Sequence, residues 1–358
     1  PEAILPTLSI IDGSFIVQGN SSLKRLDLGA LRFIGGNLEL RDNAQLQNLN
    51  LGAASKHLLR VGGSLLLEEN DNLSSLLGLV AVVPTDSITL RSNNALQEPG
   101  LLPHVVALTG SLTLEDNLRL GQSPFLRLSR VHGDVRLVNN TRMASVFGLE
   151  QLVSVGGTLE LRDNPRLEML APLGKLASVG ELELTGNPLL PDTSGLVSLT
   201  HAGRIHIQGN PALVSAGDMP LLTSVEQGFS VKHNAALQRV HDLPLLRSAG
   251  AVSVVGNAAL TSLSGFARLP EIYTLEVLGN PKLPTLGDFV AVRELALLHI
   301  GGNTGLTSLD LGGLTRVSHD FTVADNPKLP RCQATALAAS VFPGTPFIEG
   351  NDDAGTCP

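Results

Sequence analysis

Three groups of residues have the types and spacing that chemistry would need. Glu160, Glu181 and Glu183 stand near Arg162 on outward positions of neighbouring repeats. Paired carboxylates can act as acid and base, or as acid and nucleophile, in sugar cleavage. Glu160, Arg162 and Glu183 are therefore candidate site residues, against the reading that they form a solvated charged face. A second group, Asp42, Glu69, Asp116, Asp163 and Asp325, recurs one residue before a repeated Asn. Calcium would need several converging oxygens, whereas Asp also suits tight turns. The third group is Cys332 and Cys357, either a redox or metal pair or a disulfide clamping the end of the chain. The disulfide is the expectation, and it favours an oxidising compartment. The nine histidines form no adjacent ladder, and no Ser–His–Asp order or phosphate-binding glycine loop is evident. No catalytic residue, metal ligand or cofactor is predicted.

These residues sit on a repeat. Asn20, Asn43, Asn70, Asn93, Asn117, Asn140, Asn164, Asn187, Asn210, Asn234, Asn257, Asn280, Asn303, Asn326 and Asn351 recur mostly every 23 or 24 residues. A period in this range is the signature of a solenoid. Counting from each Asn, position −3 is always Leu, Ile or Val, and position −5 is apolar in every turn but the last, which has Pro346. Mostly polar residues alternate with them, as in a strand with one buried face. Each turn should therefore supply a short strand to a parallel sheet. The Asn amide offers donors and an acceptor, so the Asn column should satisfy backbone groups turned inward at each bend. Gly often occupies position −7, for example Gly36, Gly63, Gly133 and Gly157, where the chain is expected to turn into the strand. Leucines three apart after the Asn suggest extended or 3₁₀-like turns.

The outward face carries the binding expectation. At position −2, Arg41, Glu68, Arg91 and Glu115 alternate in sign, which predicts a cross-strand charge ladder. Toward the C-terminus the face becomes apolar, with Val255 and Leu278 at −2, Leu297 at −6 and the chain's one tyrosine, Tyr273, at −7. These residues are candidate ligand contacts, because exposed apolar patches mark interaction sites. Thr89 and Thr113 are neighbours at −4, too few for the regular threonine rows of an ice-binding solenoid.

Composition agrees with this architecture. Apolar residues make up 43% of 358, aromatics only 3%, and tryptophan is absent, which suits a narrow core of stacked aliphatic side chains. The net charge of −8, without a basic cluster, argues against nucleic-acid binding. No apolar run is long enough for a membrane span. The chain opens inside a partial turn, so a leader, or a lipid or other anchor, is expected upstream of Pro1. Asn20, Asn72 and Asn139 stand in Asn-x-Ser/Thr sequences, with Asn20 expected to be buried.

The pattern Leu-x-x-Val-Gly-Gly-x-Leu-x-Leu-x-x-Asn-Pro-x-Leu, spelled out around Leu152–Leu167, resembles the receptor L domain, a relative of leucine-rich repeats. It also resembles repeats of fungal GPI-anchored wall proteins and bacterial surface proteins, many of them predicted lipoproteins. The ending "NPKLPRCQATALAASV" is similar to the C-terminal cap of the bacterial group. The resemblance implies architecture and an extracytoplasmic, secreted or cell-surface setting. Hormone binding is not implied, because the cysteine-rich modules that separate receptor L domains are absent.

The combined expectation is a mainly β, right-handed parallel β-solenoid of about fifteen turns. It would form a single domain over 1–358, with a partial turn at 1–20, regular repeats at 21–329 and a helical, disulfide-bonded cap at 330–358. An irregular 27-residue interval implies a surface bulge near Gly52–His57. The leading functional expectation is a non-enzymatic recognition or scaffold protein that binds a protein or glycan. The alternatives are a carbohydrate-active enzyme or an ice-binding solenoid.

Overall fold

The computed structural model describes residues 1–51, 58–97 and 102–357. The bulge expected near Gly52–His57 lies outside the described residues. The chain divides into two compact units, Pro1–Gly180 and Glu181–Pro358. Both are built from the same coil, a parallel β-solenoid of about 14 turns in all.

In the N-terminal unit the main sheet runs through Phe15–Gln18, Leu38–Arg41, Leu65–Glu68, Ile88–Arg91, Leu112–Glu115, Val135–Val138 and Ser154–Arg162. Equivalent positions pair in register, Leu90 with Leu67 and Leu114 for example. In the C-terminal unit the main sheet runs through His201–Gln208, Ser224–Lys232, Ala251–Val255, Thr274–Leu278, Glu294–Gly301 and Arg316–Ala324. A side sheet there joins Ser215–Gly217, Arg239–His241 and Ser262–Leu263. Single 3₁₀ turns such as Ala171–Leu173 and Gly287–Phe289 serve the outer bends. The −5 and −3 residues are buried as the alternation requires: Leu112, Leu114, Leu275 and Val277 are all fully enclosed.

The Asn column is internal, with every member from Asn43 to Asn326 at 0% exposure. Its bonding is uniform. Asn93 Nδ2 donates to Leu67 O of the preceding turn at 2.9 Å and to Arg91 O of its own turn at 3.0 Å. Its backbone N–H donates to Asn117 Oδ1 at 3.1 Å. Asn210 repeats the set with Leu184 O, Gln208 O and Asn234 Oδ1. Asn20 is exposed, contrary to the sequence expectation. It belongs to the first turn, and its amide reaches only Gln18 O and Asn43 Oδ1.

The −1 column solves a backbone problem. All fifteen of its residues have left-handed φ, from Asp42 at 50° to Gly19 at 69°. Gly meets this conformation freely, and Asp and Asn tolerate it better than most residues. The acidic members of this column, Asp42, Glu69, Asp116, Asp163 and Asp325, are bend residues. The −7 glycines correct a second expectation, since none has left-handed φ. They are needed for close approach. A Cβ at Gly63 would fall 2.2 Å from Asn37 Oδ1, and one at Gly157 would fall 2.1 Å from Asp134 Oδ1.

Those neighbours belong to a second ladder, in position −6 of the N-terminal unit. Ser14, Asn37, Ser64, Ser87, Ser111 and Asp134 each accept the backbone N–H of the −6 residue one turn on, at 2.9–3.3 Å. The C-terminal unit ends in the helix Arg331–Val341, which buries Ala334, Ala338 and Val341. Phe342 stacks on Phe321 at 5.9 Å. Cys332 and Cys357 are bonded, with Cα atoms 6.1 Å apart. Around Asn351 the frame gives isolated bridges, Thr322 to Phe347 and Pro330 to Asp352, in place of a strand. Pro346, which cannot donate to a ladder, stands at the −5 position there.

Candidate functional site

Two faces carry the residues singled out in the sequence. In the N-terminal unit the charge ladder forms from Glu68 onward: Arg91 pairs with Glu68 at 3.2 Å and with Glu115 at 3.1 Å. Arg41 instead pairs within its own turn, with Glu39 at 2.8 Å. Glu160 lies between two guanidinium groups, Arg162 at 2.6 Å and Arg136 at 3.5 Å, and Arg162 also meets Asp163 at 3.3 Å. Exposed pairs of this kind stabilise little. Glu183 belongs to the C-terminal unit, where it accepts a bond from Thr185 Oγ1 at 3.4 Å, while Glu181 pairs with Arg204 at 3.7 Å.

The apolar candidates all lie in the C-terminal unit but do not form one patch. Val255 and Leu278 are paired neighbours in the −2 row. Leu297 aligns with Thr274, two outward positions away from the −2 row. Between them runs a polar row. Glu276 accepts a bond from Ser253 and meets Lys232 at 3.5 Å, and His299 bonds Asp320 at 2.6 Å. The alternation that places Leu278 and Leu297 outward also places Glu276 and His299 outward between them.

Tyr273 stands apart, 61% exposed, on the wall of a groove of about 640 Å³. The groove explains why a tyrosine can replace the usual glycine. In the N-terminal unit a −6 side chain from the preceding turn fills the Cβ space of the −7 glycines Gly36, Gly63, Gly110, Gly133 and Gly157. Before Tyr273 that residue is Ala251, whose side chain reaches no backbone donor. Ala296 and His319 follow at −7 on the next two turns, and all three line the groove. A register shift between Leu295 and Leu297 sharpens the concavity, as bulges re-aim the chain. Tyr273 O accepts both Ala296 N–H at 2.9 Å and Leu297 N–H at 3.0 Å. The tyrosine and His319 rings lie 6.4 Å apart.

The rim is charged and of mixed sign: Arg247 and Arg316 with Glu271 and Glu294, all exposed. Among the described residues none of these four enters an ion pair. Sequence reasoning found Tyr273 but missed Arg247, Glu271, Glu294, Arg316 and His319. The available signal was the loss of glycine from −7 in consecutive turns. No protein-family model matches the chain, and no curated protein matches it. Among the described residues no helix is long and apolar enough to cross a membrane.

Proposed function

We propose that this chain is a non-enzymatic recognition protein that works outside the cytoplasm, secreted or at a cell surface, and binds a protein or glycan through the C-terminal unit. The observation that supports the reading is the groove at Tyr273: an exposed aromatic ring above a concavity whose rim holds charges of both signs, none of them ion-paired among the described residues. Of the two partner classes, a short glycan fits it better. Aromatic faces pack against the apolar faces of sugar rings, while carboxylates and guanidinium groups bond hydroxyls bidentately. The disulfide is compatible with an oxidising compartment, and the resemblance to receptor L domains points the same way.

The test is glycan-array binding by the intact protein, with Tyr273→Ser and Leu278→Ser compared. Loss of binding in Tyr273→Ser alone, with unchanged thermal unfolding, supports the groove. Loss in Leu278→Ser alone moves the contact to the flat −2 row and favours a protein partner. Binding that survives both substitutions, or a collapse of stability in either, refutes recognition at this face.

A further inference from the structure

A second constellation lies on the side sheet of the C-terminal unit, outside the groove. Gly217 and His241 pair in register, and an Asp follows each. Both acids occupy left-handed bends, Asp218 with φ 52° and Asp242 with φ 55°. The two turns are drawn tightly together. A Cβ on Gly217, whose φ is 113°, would sit 1.8 Å from His241 O. Asp218 N–H donates to that oxygen, and Met219 N–H to Asp242 O, both at 3.2 Å.

This approach sets the His241 ring between two carboxylates. Nδ1 is 3.0 Å from Asp242 Oδ2, and Nε2 is 3.5 Å from Asp218 Oδ1. The buried Ser215 puts its Oγ 2.7 Å from Nε2 and 3.3 Å from Asp218 Oδ2. The protons can be counted. A neutral imidazole carries one, and Asp242 is placed to accept it from Nδ1. Nε2 and Asp218 Oδ2 then share the single hydroxyl proton of Ser215, while Asp218 Oδ1 faces Nε2 with no protein donor among the described residues. A cation between Asp218 and Nε2 would satisfy both.

We propose that His241 Nε2 and the Asp218 carboxylate bind a divalent transition-metal cation of the zinc class, with Asp242 holding the ring through Nδ1–H. The geometry suits it. A tetrahedral ion with N and O ligands at about 2.0–2.1 Å has ligand–ligand edges of about 3.3–3.4 Å, close to the 3.5 Å between Asp218 Oδ1 and His241 Nε2. An imidazole in the donor set selects zinc and its neighbours over calcium or magnesium, which prefer oxygen alone. A carboxylate on the far ring nitrogen is the usual outer partner of a metal-bound histidine. The same contacts also resemble a nucleophile–base–acid chain. Ser215, however, is buried, and the neighbouring groove around Leu243 and Arg268 includes Asp242 but neither Ser215 nor His241. That leaves the hydroxyl without a substrate surface.

The test is calorimetric titration of chelator-treated protein with zinc chloride. One zinc per chain is expected. Asp218→Asn and His241→Gln should each weaken binding at least tenfold, and Asp242→Asn by about 10–100-fold, as for lost outer partners. Asp310→Asn removes an aspartate in a similar left-handed bend without a histidine and should leave zinc affinity unchanged. Absence of zinc uptake overturns the proposal. So does uptake that survives His241→Gln with unchanged affinity. If that variant unfolds in a metal-free thermal scan, Asp218→Asn decides alone: undiminished uptake refutes the site.

Discussion

The two units meet one backbone frame with different side chains. In the N-terminal unit, small polar residues at −6 bond the next turn's backbone in an unbroken series from Ser14 to Thr158. Glycine stands at −7 where the preceding side chain occupies its Cβ space, and the exception, Asp86, accepts a bond from the preceding Ser64 Oγ at 2.9 Å instead. In the C-terminal unit the −6 residues from Asn187 to Asn326 are Glu181, Arg204, Gly228, Ala251, Thr274, Leu297 and Asp320, which build no such series. Strands such as Ser224–Lys232 and Arg316–Ala324 run on past −6 and pair main chain to main chain, as Ser154–Arg162 already does in the last turn of the N-terminal series. Release from the ladder frees −7 for Tyr273 and His319, and a groove results. A regular scaffold thus gains a groove where one structural side chain is dispensed with. The −1 column teaches the same lesson: the N-terminal unit favours Asp, Glu, Ser and Asn, the C-terminal unit favours Gly, and every residue keeps left-handed φ.

The largest expected effect concerns the cores. Phe266 lies between Phe229 at 5.7 Å and Phe289 at 5.1 Å in the C-terminal unit, whereas Phe125 of the N-terminal unit is buried without a ring partner among the described residues. Phe266→Ala should cost about 3–5 kcal/mol in chemical denaturation. A double-mutant cycle with Phe229→Ala should return a coupling of about 0.5–1.5 kcal/mol. Simple additivity would reduce the ring column to ordinary packing.

Next come the ladders. Asn93→Ala and Asn210→Ala should each cost about 1–3 kcal/mol, because both strand buried backbone groups. Gln208→Ala, on the outward face, should stay within about 0.5 kcal/mol. The −6 position separates the units: Ser111→Ala deprives Asp134 N–H of its acceptor at 2.9 Å and should cost about 1 kcal/mol. Thr274→Ala should cost less than half of that. Equal losses at Ser111 and Thr274 would erase the distinction between the two units.

The −1 column is a smaller test. Gly209 has φ 64° and open space around a new Cβ, so Gly209→Ala should cost about 1–2 kcal/mol from backbone conformation alone. Asp163→Gly should be nearly neutral. A large loss in the second would give the aspartate carboxylate a role beyond the bend.

The smallest effects should appear as pH dependence. In the C-terminal unit burial pushes the Asp288 carboxyl up, although Phe266 and Gly265 amides donate to it. Its charged form is disfavoured by folding, so its contribution is full in acid and declines as pH rises through the raised pKa. Asp288→Asn should therefore stabilise above that range and not below it. In the N-terminal unit the Arg25 hydrogen bond holds Asp27 low. Hydrogen bonds from Ser308 and then Thr285 do the same for Asp310. Those contributions are present above the ordinary aspartate pKa and vanish as pH falls through the lowered one. Asp27→Asn and Asp310→Asn should lose stability at neutral pH and converge with wild type in strong acid. Urea midpoints across pH measure all three, and the opposite sign at Asp288 would contradict its burial.

The sequence by itself determined the coil. In a solenoid, neighbours in space are neighbours one period apart, so a one-dimensional pattern specifies the sheet, the buried −3 and −5 rows, the Asn column and the disulfide-closed cap. The tertiary structure alone decided where surfaces differ. The −6 ladder, the role of glycine at −7, the split between Leu278 and Leu297, and the meeting of Asp218 with His241 all turn on ångström-scale approach between adjacent turns. They also depend on local register shifts, such as the one at Leu295/Leu297. A repeat period does not encode such shifts, because one residue of slip leaves the pattern intact while changing which side chains face each other.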